Sequence, residues 1–129
     1  MGHTEVVLDL LRSKLLTLHK TLVDLERQTY ERIHGKKTSS EFLTVLLEDQ
    51  QFAWLRKISQ LIVWIDEVLD PDELTAEEEK RNLLEQARKL LNPSELGSDF
   101  VQKYHDALQR NPDVVMAHKE VRDVLKLHP

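Results

Sequence analysis

Between residues 4 and 34 the chain has neither Gly nor Pro, and Leu8, Leu11, Leu15, Leu18, Leu22 and Leu25 repeat with the spacing of a helix seam, continued by Thr29. Leu16, Val23 and Tyr30 form a second row beside the first, so one long helix is expected to touch two neighbours. Its other side carries Asp9, Ser13, Lys20, Asp24, Arg27 and Glu31. There Lys20/Asp24 and Arg27/Glu31 stand four residues apart, as ion pairs on a solvated face do. Gly35 is the expected stop, because glycine enters the left-handed region without a Cβ penalty.

Thr38-Ser-Ser-Glu41 has the spacing of a capping box, which predicts a short helix over residues 39–48. Asp49 is a cap for a third helix over 50–69, with Leu55, Ile58, Ile62, Ile65 and Leu69 on one stripe and Trp54, Leu61 and Val68 beside it. The second and third helices running together is the alternative. Asp70-Pro71-Asp72 breaks the chain, and Thr75 with Glu78 reads as a second capping box for a helix over 76–91, ended by Asn92-Pro93. A loop with Pro93 and Gly97 leads to Ser98 or Asp99 as cap and a helix to about Arg110 that turns Phe100, Tyr104 and Leu108 inward. Asn111-Pro112-Asp113 then opens a last helix to about Leu127. No segment alternates like a strand, and no repeat is present. The fold expected is all-α: an elongated up-and-down bundle of five or six helices with a long first helix. It forms one domain over 1–129, with 94–129 as a C-terminal helical subdomain at most.

Length adds a constraint. A helix over residues 4–34 spans roughly 46 Å, whereas a compact chain of 129 residues fills a sphere only about 36 Å across. The bundle is therefore elongated, or the helix bends, or a second copy completes the leucine seam in a homodimer.

Composition narrows the chemistry. There is no cysteine, which excludes disulfides, thiolate metal sites and a Cys nucleophile. A formal net charge of -5 lacks the basic excess used to bind nucleic acid, although Arg32, Lys36 and Lys37 form one basic corner. The longest uncharged apolar-rich stretch, 58–65, is far short of a membrane span, and the first residues lack a basic signal region. A bacterial-type cytoplasmic setting is the expectation, with neither nucleic acid nor membrane as partner.

Glu31-Arg-Ile-His34 has the Glu-x-x-His spacing of ferritin-like di-iron bundles, but it occurs once. His105 and His118 follow Gln102 and Val115 instead of a glutamate. A histidine at a helix end interacting with the dipole explains His34 as well, so Glu31 and His34 are weak metal candidates and no metal or other cofactor is expected. His19/Asp24 and His118/Asp123 share a spacing found in hemerythrin-like bundles, without that family's remaining histidine elements. The dispersed Lys and Arg doublets read as surface charge. No phosphate loop, Gly-x-Ser-x-Gly or His-Glu-x-x-His motif is present. Catalysis is the less favoured class.

Two features stand outside the core pattern. Asp66, Glu67, Asp70, Asp72, Glu73, Glu77, Glu78 and Glu79 occupy fourteen residues without one Lys or Arg. The first three lie near a helix C-terminus, where the dipole disfavours acids. A plain solvated acidic turn is the expected reading, with Arg32, Lys36 and Lys37, or a partner's basic region, as the alternative counterweights; the glycine and ligand pattern of a calcium loop are missing. Trp64 projects among Arg56, Lys57, Gln60 and Glu67, away from the isoleucine stripe. It is covered by the helices after Pro93 or offered to a partner. Trp64, Asp66, Glu67 and Asp70 are thus the candidate partner-binding residues of an interaction or structural module, self-associating through the first helix. The alternative is a small-ligand or metal pocket built from Glu31, His34, His19 or His118.

Overall fold

The computed structural model describes residues 2–92 and 99–129, and every regular element among them is helical. The elements are α1 (His3–His34), α2 (Ser39–Glu48), a 3-10 helix (Gln50–Leu55), α3 (Arg56–Leu69), α4 (Glu77–Leu91), α5 (Asp99–Arg110) and α6 (Pro112–Leu125). The predicted loop residues Pro93, Gly97 and Ser98 lie outside the described residues.

Local chemistry sets most of the boundaries. At the start of α2 the Glu41 amide donates to Thr38 Oγ1 (3.1 Å) and the Thr38 amide to Glu41 Oε1 (2.8 Å), the reciprocal box that the spacing predicts. Asn111 Oδ1 accepts from the Asp113 amide at 2.8 Å, with Pro112 in the first turn of α6. Gly35 ends α1 at φ 85° and ψ 164°, its amide on the Glu31 carbonyl. The positive φ needs glycine, but the large ψ sends the chain straight out instead of through the left-handed helical basin.

Two boundaries differ from expectation. The Thr75–Glu78 box does not form: Ala76 is the cap residue, without a side-chain hydrogen bond, so α4 begins one residue too late for that spacing. Its first turn is held instead by the favourable dipole interaction of Glu77, Glu78 and Glu79, and by the Thr4 hydroxyl donating to Glu77. The segment 50–69 divides into a 3-10 helix and an α-helix. Asp49 is extended and its carboxylate accepts from the Gln51 amide at 3.0 Å, which keeps α2 and α3 apart. The tighter three-residue turn brings Phe52 and Leu55 to one side, and both are buried with Trp54.

α1 is the axis. Leu8, Leu11, Leu15, Leu18 and Leu22 are wholly buried and Leu25 nearly so, facing α3, α4 and α6. The seam is filled from within one chain, so no second copy is needed to cover it. Leu16 departs from the expected second row: it is exposed, while Val23 and Tyr30 pack partly against the core. Polar cross-links set the directions. Arg12 near the start of α1 pairs with Asp66 near the end of α3, and Tyr30 near the end of α1 meets Phe52 just before α3, so α3 runs antiparallel to α1. His3 Nε2 lies 3.0 Å from the Leu127 carbonyl oxygen and Lys14 Nζ 3.7 Å from Glu120, so α6 is antiparallel too. Aromatic rings close the other end: Phe52 meets Phe42 at 5.7 Å and Tyr30 at 6.0 Å, and Trp54 meets Phe100 at 5.8 Å. No helix among the described residues is long and apolar enough to cross a membrane.

Candidate functional site

Two clefts flank α4. The first lies between α3 and α4 and has a volume of about 490 Å³. Leu61, Leu90 and Trp64 form its apolar lining, and Arg56, Lys57 and Lys89 supply its charges. No acid lines it, although the chain as a whole is negative. Trp64 is 42% exposed. The tryptophan that α5 covers is Trp54, through Phe100; Trp64 is left facing the groove. Of the cations, Arg56 donates to the Leu47 carbonyl and Lys57 sits 5.9 Å from the centre of the Phe100 ring, whereas Lys89 forms no ion pair with the described residues.

The acidic run turns out to contain two kinds of residue. Asp66 is bound by Arg12 of α1, so the counterweight is neither Arg32 nor Lys36 or Lys37. Glu77 is bridged to Thr4 and to Arg81, the latter at 3.6 Å. Asp70 Oδ1 accepts from the Asp72 amide at 2.9 Å, which tightens the turn. Glu67, Asp72, Glu73, Glu78 and Glu79 form no ion pair with the described residues. Leu74 stands fully exposed at the tip of this turn. Sequence reasoning missed it; a lone leucine between Asp-Pro-Asp-Glu and Thr belongs to no helical stripe and was the available signal.

The remaining candidates do not come together. Glu31 Oε2 accepts from the Lys37 amide at 2.7 Å and its other oxygen lies 3.6 Å from Arg27, so it braces the α1–α2 connection. His34 is exposed, with its ring 4.3 Å from that of Tyr30. Asp24 is held by Lys20 at 2.9 Å, and Asp123 by Lys119 at 3.0 Å, so neither partners the histidine at the matching spacing. Among the described residues no three His, Asp or Glu side chains are grouped as metal ligands would be.

His19 and His118 are both half-buried, and burial holds their imidazoles below the usual histidine range. For His118 the nearby Arg122 adds to the effect. His118 Nδ1 lies 2.6 Å from the hydroxyl of buried Tyr104, and burial pushes that phenol up, so it keeps its proton. The pairing links α5 to α6 beside the second cleft, about 670 Å³ between α4 and α6. Glu26 shifts the opposite way to Glu5, Glu41, Asp49 and Asp123, which hydrogen bonds hold low: burial raises it despite Arg110 at 3.3 Å. No protein-family model matches the chain, and neither a curated protein nor a solved structure matches it.

Proposed function

We propose that this chain is a self-associating interaction module whose docking surface is the α3–α4 hairpin, and that the occupant of the Trp64 groove is the 70–76 turn of a second copy. The observation that carries the reading is the separation of complementary features along one hairpin. One end has an apolar groove bordered by Arg56, Lys57 and Lys89; the other has an exposed leucine among acids. A two-fold rotation brings unlike ends together twice, and such isologous exchange closes on itself instead of growing into a filament. Leu74 then supplies the apolar anchor over Trp64, and Glu73 and its neighbours meet the unpaired Lys89. Of the sequence candidates, Trp64, Glu67 and Asp70 belong to this surface, while Asp66 serves it by fixing α3 on α1.

Sedimentation velocity of the full chain over roughly 1–100 μM, the range in which modest interfaces dissociate, is expected to show a monomer–dimer shift. Trp64→Ala and Leu74→Asp each abolish it while the circular dichroism spectrum stays helical. Lys89→Glu weakens it, and adding Glu73→Lys to the same chain restores it. A wild-type protein that remains monomeric throughout, or one that dimerises unchanged after both apolar substitutions, overturns the proposal.

A further inference from the structure

We infer that the cleft between α4 and α6 is a binding site for a small carboxylate carried on an apolar body, gripped by Arg122 and oriented by His118. Leu91 and Leu125 line the cleft together with Arg88, His118, Arg122 and Lys126, and no acidic side chain lines it. The three cations differ in how far they are already used. Arg88 donates to the Leu125 and His128 carbonyls and pairs with Glu85, which fastens α4 to the end of α6. Lys126 is loosely held, 3.9 Å from Asp123. The Arg122 side chain makes no ion pair or hydrogen bond with the described residues, so its planar fork is free for a carboxylate, the group it matches in two parallel bonds.

His118 contributes direction. The buried Tyr104 hydroxyl has the imidazole Nδ1 as its hydrogen-bond partner. A buried O–H needs an acceptor, so Tyr104 donates to Nδ1 and the ring hydrogen sits on Nε2. Tyr104 is itself fixed by stacking on Phe100, with ring centres 5.4 Å apart and planes within 13°. The imidazole is therefore a pre-oriented neutral donor beside an uncommitted guanidinium. One free positive charge, one neutral donor and aliphatic walls fit a singly charged head on a hydrocarbon body better than a compact dianion.

Hexanoate tests this, with hexanamide and inorganic phosphate as comparisons at constant ionic strength, read by the ¹⁵N and ¹H signals of the His118 ring. Saturable shifts are expected with hexanoate, with hexanamide binding about tenfold or more weakly, since it lacks the charge that Arg122 meets. Arg122→Gln weakens hexanoate by a similar factor without altering the melting temperature. Tyr104→Phe leaves the helical spectrum in place but changes the tautomer signature of His118 and weakens binding, which loss of packing alone does not do. No saturation with hexanoate, equal binding of the amide or of phosphate, or indifference to Arg122→Gln overturns the proposal. Trp64→Ala leaves hexanoate binding unchanged, so the site stands or falls separately from self-association.

Discussion

Ile65 and Trp64 are neighbours on α3, yet one is wholly buried and the other opens onto a groove. The inner face, Ile58, Ile62 and Ile65, lies against the leucine seam of α1. The outer face lies beside α4, which turns Leu84 and Ala87 into the core and presents Gln86 and Lys89 to the groove. Long polar side chains border an apolar surface without sealing it, because their heads stay in water. Hydrophobic character therefore does not decide burial on its own; the neighbouring helix must also offer apolar atoms at the same height. Where it does, α3 has a core face, and where it does not, α3 leaves Trp64 open to the groove.

The largest test of the contrast is Ile65→Ala, expected to cost about 2–5 kcal/mol in urea unfolding, because a cavity opens beside the seam. Trp64→Ala removes more atoms but is expected to cost less, about 1–2 kcal/mol, since 42% of the residue already meets water. Equal losses at the two positions would erase the distinction between the faces.

Acid conditions sharpen the same contrast through α1 and α6, each of which half-buries a histidine. The folded-state affinities of His19 and His118 for protons are lowered by burial, so the unfolded chain takes up protons first as pH falls. Stability is expected to decline as pH drops through about 6.5 and below. His19→Asn with His118→Asn flattens that slope. Glu26 works in the other direction: its raised folded-state value means that protonation on the way down towards pH 4.5 favours the folded chain, and Glu26→Gln removes that gain. Urea midpoints measured between pH 7 and pH 4 separate the two effects.

The smallest expected effect is at the rim of α3. Arg12 and Asp66 are both more than a third exposed, so a double-mutant cycle with Arg12→Ala and Asp66→Asn is expected to give a coupling of about 0.2–1 kcal/mol, shrinking in high salt. A larger, salt-insensitive coupling would mean that this side of α3 is drier than its exposure indicates.

Much of the architecture is local and legible in the sequence. The seam from Leu8 to Leu25, the stripe from Leu55 to Ile65 and the caps at Thr38, Asp49 and Asn111 depend on spacings of a few residues, and a helix repeats those spacings whatever packs against it. The second capping box failed for an equally local reason, a shift of one residue in the start of α4. Tertiary structure alone decided that Arg12, separated from Asp66 by 54 residues, holds the first acid of the run. It also decided that α5 covers Trp54 and not Trp64, and that Tyr104 and His118 from different helices meet beside Arg122. Periodicity states which side of a helix seeks shelter from water. Which side finds it, and which polar groups become neighbours, depends on the register and crossing of helices far apart in the chain, and no short-range spacing records that.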